Sequence, residues 1–137
     1  MKEFPTKQMM DELEALSAYR ENRIAYVNRK KQEGYSIFYP EENELLLDID
    51  SENDLQRCKL SISRMEDELQ EALPFSVFKS TTPGHYHISI KFPRKIDMLE
   101  RIALQAVLGS DRVREMLSLF RLWQGEAHPS LLVRKAT

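Results

Sequence analysis

Two short runs of the sequence combine residue types that could do chemistry with the alternation of a β-strand. The first, Glu44-Leu45-Leu46-Leu47-Asp48-Ile49-Asp50, ends in two aspartates, and the second, His85-Tyr86-His87-Ile88-Ser89-Ile90-Lys91-Phe92, begins with two histidines. Paired carboxylates suit hard divalent cations such as Mg²⁺ or Mn²⁺, which take oxygen ligands and keep positions for phosphate oxygens. A nearby histidine or lysine could neutralise phosphate charge or transfer a proton.

Strand alternation decides where these groups point. Successive side chains of a strand face opposite sides, so the first run places Leu45, Leu47 and Ile49 on one face and Asp48 and Asp50 on the other. In the second run, the same rule turns one set inward (Tyr86, Ile88, Ile90 and Phe92) and one set outward (His85, His87, Ser89 and Lys91). If the two strands are neighbours in one sheet, the carboxylates, imidazoles and ammonium converge on one open face.

A plainer interpretation of the same residues remains open. An Asp-x-Asp at the end of a strand, followed by Ser51 and a helix, could be only a polar strand end with a helix cap. His85 and His87 could likewise be ordinary residues of a solvated sheet face.

The elements that must position these groups follow from periodicity and turn residues. An amphipathic helix is predicted over about residues 6–33, with Asn22 as the candidate position for a break. Strands at 35–39 and 44–50 look like a hairpin. Ser51 or Asn53 can cap a helix that runs to Leu73 before Pro74. Beyond it the pattern predicts strands at 75–81 and 85–92, helices at about 96–108 and 111–124, and a short strand at 130–134.

The order of these elements predicts an α+β fold with helices on one face of a mainly antiparallel sheet. At 137 residues, we expect one domain over 1–137, with the N-terminal helix preceding a core at about 35–135. The net charge of −2 gives no whole-molecule attraction to nucleic acid or anionic membrane. The chain has one cysteine and neither a signal-like nor a membrane-spanning run, so a cytoplasmic protein without membrane contact is expected.

A family resemblance rests on three features taken together. They are the apolar strand that ends in Asp48-Ile49-Asp50, the helix that follows it, and the strand-turn-strand segment Ser80-Thr81-Thr82-Pro83-Gly84-His85-Tyr86-His87-Ile88. Over about residues 35–92 this combination resembles the catalytic core of the archaeo-eukaryotic primase superfamily.

The resemblance implies an RRM-like sheet with primase- or polymerase-like nucleotidyltransferase activity. Asp48 and Asp50 would bind Mg²⁺ or Mn²⁺, and His87 would contact the phosphates of the incoming nucleotide. We expect the nucleotide site also to include His85, Ser80 and Lys91. A single-stranded DNA template is an expected partner, with a replication protein or a second copy of the chain as further candidates. Small chains of this kind would suit a phage or mobile element.

One feature of the family pattern is missing from the sequence. The family carries a third acidic residue on a later strand, but Leu131-Leu132-Val133-Arg134-Lys135 contains no carboxylate, and Glu126 precedes that strand. Two-metal catalysis needs ligands that fix both ions. The sequence therefore indicates a minimal, partner-dependent or inactive member of such a family.

Two other functions fit parts of the pattern. His85-Tyr86-His87 is the triplet of a His-hydrophobe-His nicking endonuclease, whose nucleophile would have to be Tyr19, Tyr26, Tyr35 or Tyr39. A non-catalytic RRM-like module that binds nucleic acid or protein is the second, and it predicts no dependence on metal. Six basic residues near the C-terminus could line a nucleic-acid path beside Trp123: Arg101, Arg112, Arg114, Arg121, Arg134 and Lys135. The favoured interpretation is that they form a solvated helix face and that Trp123 lies in the core.

Overall fold

A computed structural model describes residues 6–9, 11 and 23–135, and the fold is α+β with antiparallel sheets, as predicted. The elements, in chain order, are α1 (Arg23–Gln32), β1 (Tyr35–Phe38), β2 (Glu44–Ile49), α2 (Glu52–Leu69), β3 (Phe75–Lys79), β4 (Tyr86–Lys91), α3 (Met98–Val107), α4 (Arg112–Trp123) and β5 (Leu132–Lys135). Of the predicted N-terminal helix, residues 7–9, 11 and 23–32 are helical. Its candidate break at Asn22 lies outside the described residues.

The central sheet has three strands in the order β2-β4-β3, all antiparallel. Its apolar face forms the main core, in which Leu45, Leu47, Ile49, Ile88 and Ile90 are fully buried. The alternation predicted for both strands is thus confirmed on this face. The neighbouring strands β2 and β4 also place Asp48 directly opposite His87.

Helix α2 covers the apolar face of this sheet. Ser51 caps its first turn by accepting a hydrogen bond from the N–H of Asp54 at 3.1 Å. Cys58 and Ile62 pack into the core from the buried side of the helix. The helix ends at Leu69, where Gln70 takes a left-handed conformation with φ of 55°. The next buried residue, Leu73, therefore reaches the core from the connection before β3 and not from the helix.

The predicted hairpin of residues 35–39 with 44–50 is wrong. Strand β1 pairs instead with β5 in a separate antiparallel sheet, with Ile37 opposite Val133. One edge of β2 is occupied by β4, and its other edge is occupied by side chains from α3 and α4, so no edge remains for β1.

The two-stranded sheet lies over the polar face of the central sheet. The guanidinium carbon of Arg134 on β5 sits 3.8 Å from the ring centre of Phe38 on β1 and 4.0 Å from that of Phe78 on β3. Phe78 is opposite His87, so this stack rests on the same face as the predicted polar residues. The face expected to be open is partly covered.

The segment β2-α2-β3-β4 follows the strand–helix–strand–strand order of an RRM-like fold. In such a sheet a fourth strand would pair beside β2. Here that edge is satisfied by side chains, since Gln105 Oε1 accepts from the N–H of Leu46 at 2.9 Å and Arg114 donates to the Leu46 carbonyl at 2.5 Å. Because a free strand edge invites unwanted pairing, these bonds protect β2 as a strand would.

None of the described helices is long and apolar enough to cross a membrane.

Candidate metal centre

Three aspartates converge where β2 ends. One carboxylate oxygen from each of Asp48, Asp50 and Asp111 lies within 4.8 Å of the others. Asp48 is half-buried and Asp50 exposed, so the cluster sits at the surface with access from solvent. Carboxylate oxygens are the ligands that hard cations prefer, and this group could hold a metal ion.

The junction between α3 and α4 brings Asp111 to the strand. Its backbone N–H donates to the Asp48 carbonyl at 2.6 Å, and the Ser110 hydroxyl oxygen accepts from the Asp48 N–H at 3.0 Å. Asp111 also caps α4, because its carboxylate accepts from the N–H groups of Val113 and Arg114, each at 3.3 Å. Asp111 thus bonds to the end of β2 through its backbone and caps the start of α4 through its side chain.

A buried polar network holds this junction. Gln105, which is fully buried, donates to Glu115 at 2.9 Å, and Ser110 donates to Glu115 at 2.6 Å. Arg114 pairs with the same carboxylate at 2.7 Å and donates to the Ser130 carbonyl at 3.0 Å. Each member has several partners, as a buried polar network requires if it is to be stable. The network therefore fixes Asp111 relative to Asp48.

The carboxylates of the cluster destabilise one another's charged form. Burial raises the pKa of Asp48, and the charge of Asp111 adds to that effect while Arg114 opposes it. Burial also raises the pKa of Asp50, with further contributions from the charges of Asp111 and Asp48. A bound cation would relieve this repulsion, which is the usual electrostatic condition of a carboxylate metal site.

Both histidines of the second run lie beside the cluster. His85 Nδ1 is 3.4 Å from Asp50 Oδ1, and His87 Nε2 is 3.7 Å from Asp48 Oδ1. His87 is only 6% exposed, whereas the alternation predicted an open position. The β1–β5 sheet covers it.

The environment of His87 favours its neutral form. Burial lowers the pKa of His87 to about 4, and the charges of Arg114 and Arg134 contribute. Among the described residues, its Nδ1 is buried without a hydrogen-bond partner. A buried polar atom without a partner usually indicates a missing water or ligand contact.

A cavity of about 440 Å³ adjoins the cluster. Asp48 and Asp111 line it together with both histidines, and the turn after β3 contributes the hydroxyl residues Ser80, Thr81 and Thr82. Three cationic residues (Lys30, Arg114 and Arg121) and the phenols of Tyr26 and Tyr35 complete the polar lining. We call this cavity the polar pocket. Acidic and basic groups in one lining suit an anion that is bound together with a metal ion.

The polar pocket brings together most of the residues singled out in the sequence. Asp48, His85, His87 and Ser80 line it, but Asp50 and Lys91 do not. Lys91 lies at the other end of β4, opposite Glu44, and its ammonium is 2.6 Å from a Glu41 oxygen. The sheet face was predicted correctly for Lys91, but its position along the strand takes it away from the pocket.

Several C-terminal residues are placed differently from the sequence interpretation. Arg101 is buried and donates to the Glu44 and Glu41 carbonyls, each at 2.9 Å. Arg114 is half-buried in the network, so neither belongs to a solvated helix face. Trp123 is 55% exposed and therefore lies outside the core. Glu126 lines a different cavity, near Tyr39 and His128.

Asp111 and Lys30 were missed in the sequence. Gly109-Ser110-Asp111 carries the signals of one helix ending and the next beginning, and nothing in that pattern distinguishes a capping aspartate from a ligand. Lys30 lies on a helix that no motif connects to the strands.

Comparison of the chain with protein-family models, curated proteins and solved structures gave no match.

Proposed function

We propose that this chain binds Mg²⁺ or Mn²⁺ on Asp48, Asp50 and Asp111 and nucleotide phosphates in the polar pocket, as a primase- or polymerase-like nucleotidyltransferase domain. The observation that carries the proposal is the triad of aspartate oxygens within 4.8 Å of one another at a pocket lined by cations and hydroxyls. The motif resemblance, Asp-x-Asp on one strand and His87 on its neighbour, supports the same function.

Asp111 answers the objection raised by the sequence. Strand β5 has no carboxylate, and a site with only two acidic ligands would fix its ions poorly. A third carboxylate comes instead from the start of α4, with an oxygen within 4.8 Å of those of Asp48 and Asp50. This third carboxylate supports the proposal, although it comes from a different place along the chain than in the family pattern.

The other pocket residues would act on the phosphates. A divalent cation in such a site neutralises phosphate charge and orients the reacting oxygens. His87, held neutral by burial, would contribute a hydrogen bond and not a charge. Ser80 and the hydroxyls of Thr81 and Thr82 could donate to phosphate oxygens, while Lys30 and Arg121 supply positive potential.

The direct test is a Mn²⁺ titration of the full chain, with and without a non-hydrolysable nucleoside triphosphate. We expect saturable binding that the nucleotide strengthens and that Asp48→Asn/Asp50→Asn abolishes. Asp67→Asn/Glu68→Gln removes the same charge from exposed positions on α2 and should titrate like the parent. Equal Mn²⁺ affinity in the parent and in the Asp48/Asp50 variant would reject the proposal.

Activity needs a separate assay, because binding alone also fits a non-catalytic module. The measurement is metal-dependent extension or synthesis of a primer on single-stranded DNA, followed with labelled ribonucleotides and deoxyribonucleotides in parallel. Product that disappears in Asp111→Asn supports the transferase. Metal and nucleotide binding without any product supports a binding module.

The nicking-endonuclease alternative also has one observation in its favour. Tyr26 and Tyr35 line the same pocket as His85 and His87. A tyrosine nucleophile would leave a covalent adduct on labelled single-stranded DNA. An adduct present in the parent and absent in Tyr35→Phe or Tyr26→Phe would favour this function over nucleotidyl transfer.

A further inference from the structure

Strand β3 is an edge of the central sheet, and its outer side has no strand partner among the described residues. Its pairing with β4 is bracketed by two bonds of 2.9 Å, from the N–H of Lys91 to the Pro74 carbonyl and from the N–H of Ser80 to the His85 carbonyl. Because antiparallel pairs alternate, Ser76 and Phe78 also bond inward to β4. The N–H and C=O groups of Phe75, Val77 and Lys79 then point to the outer edge.

This edge lacks the usual protection. Natural edge strands carry central charges, prolines or bulges that block pairing with another chain. In β3 the only charge is on the last residue, Lys79, and the register with β4 runs without a bulge. All five residues are exposed, including Phe75 at 41% and Val77 at 37%. Helix α2 packs on the buried residues of β2 and β4, while the Phe75 and Val77 side chains on the same face stay exposed.

We propose that β3 pairs antiparallel with β3 of a second copy of this chain, around a twofold axis at Val77, so that two central sheets become one continuous sheet. The outward residues Phe75, Val77 and Lys79 are placed symmetrically about Val77. In this register Val77 faces Val77 of the second copy, and Phe75 faces Lys79. Each outward N–H and C=O group then gains a partner.

The side chains fit the same register. On the helix-covered face, Phe75 of each copy lies diagonal to Val77 of the other, and aromatic and β-branched residues are favourable cross-strand neighbours. Lys79 lies across from the Phe75 ring, where its ammonium is attracted to the aromatic face. On the opposite face, the small Ser76 lies across from Phe78 and leaves room for the ring.

Charge selects this register over its neighbour. With the axis at Val77, the two Lys79 residues are separated by four positions, roughly 13 Å along the strands. A shift of the axis to Phe78 would bring them to diagonal positions, where like charges repel. The edge is therefore complementary to itself, which is the argument for a second copy and not an unrelated strand.

The expected dimer is weak. A five-residue strand buries less than the roughly 1,600 Å² of a standard interface. We therefore expect a monomer–dimer equilibrium that shifts with concentration. The dimer proposal is independent of the metal proposal, because none of the three aspartates of the cluster takes part in the pairing.

The test is sedimentation velocity of the full chain over a wide concentration range. Wild type should move from monomer to dimer as concentration rises. Val77→Lys, which sets two ammonium groups opposite each other, should raise the dimer dissociation constant at least about tenfold. Leu60→Lys, at an exposed position on α2, makes the same change elsewhere and should behave as wild type.

Two further variants test the proposal in case Val77→Lys fails to fold. Val77→Pro removes only an outward N–H, which an edge strand tolerates, so it should stay folded by circular dichroism and also remain monomeric. In Val77→Cys, a short bismaleimide should cross-link two chains, while the native Cys58 is buried. A wild type that stays monomeric at the highest concentration, or folded Val77 variants that dimerise like wild type, would overturn the proposal.

Discussion

The backbone N–H of Asp111 donates a 2.6 Å hydrogen bond to the carbonyl oxygen of Asp48. Together with the Ser110 contact to the Asp48 N–H, this bond joins the start of α4 to the edge of β2, and it puts two carboxylates of different elements beside each other. The third acid of the cluster is thus delivered by a helix cap, while Asp48 and Asp50 come from the strand and the residue just after it. Asp111 is both the cap of α4 and a candidate metal ligand. Asparagine keeps the capping oxygen and removes the charge, so Asp111→Asn separates the two roles.

Asp111→Asn should keep the helix and weaken the metal site. Asparagine caps helices as well as aspartate does, so the thermal midpoint without metal should not fall. Mn²⁺ affinity should drop at least about tenfold, because even an outer contact to a metal ligand costs that much. Isothermal titration calorimetry measures both this variant and its control, Asp97→Asn, which changes the equivalent cap of α3. Similar Mn²⁺ affinities for the two variants would contradict the assignment of Asp111.

His87 should make the protein sensitive to mild acid. Its pKa is lowered from 6.5 to about 4 in the folded state, so the unfolded chain binds a proton that the folded chain does not between those pH values. Stability should therefore be lost as pH falls from 6.5 towards 4, by up to roughly 3 kcal/mol. Urea unfolding across this range measures the slope, which His87→Gln should reduce. His85→Gln is the control, and a slope that survives His87→Gln unchanged would count against a buried neutral His87.

Gln105→Leu should destabilise the fold and loosen the candidate site. The substitution leaves the Leu46 N–H and one oxygen of Glu115 without their partner in a buried location. The expected cost is about 2–3 kcal/mol in free energy of unfolding, together with a lower Mn²⁺ affinity. Gln56→Leu removes an exposed contact to Glu52 and should change stability by less than about 0.5 kcal/mol. Chemical denaturation that shows no difference between the two would refute the role given to the network.

Arg134→Ala should detach the β1–β5 sheet from the central sheet. The guanidinium is stacked between Phe38 and Phe78, so its removal should cost about 1–2 kcal/mol. The stability of Arg134→Lys should lie between those of the wild type and Arg134→Ala, because lysine keeps the charge and loses the planar stack. Hydrogen exchange at β5 and around His87 should accelerate in the same order. Unaltered exchange in Arg134→Ala would show that other contacts hold the sheet.

The local part of this structure could be predicted from the sequence. Leu45, Leu47, Ile49, Ile88 and Ile90 follow the strand period, and a strand with one buried face must obey it. The helix cap at Ser51 was likewise identified at the observed position, and the predicted helix start at residue 111 is one residue from the observed start at Arg112. These features depend on neighbours in the chain.

The parts that were missed depend on contacts between distant residues. The pairing of Phe38 with Leu132 spans most of the described chain, and no turn signal connects β1 to β5. The burial of His87 follows from that pairing, because β4 alternation alone leaves its outward face open. Asp111 joins the cluster because side chains of α3, α4 and the junction between them occupy the edge of β2. A pattern read along one strand contains none of this information.

The cover over His87 has a consequence for how the protein is made. Strand β5 leaves the ribosome after every other described element, yet β1, its partner, is synthesised early. The central sheet can fold first, while its polar face is still uncovered and the β1 segment is still unpaired. The imidazole cannot be fully shielded before β5 has been synthesised, so we expect substitutions in residues 132–135 to slow completion of the site more than formation of the core.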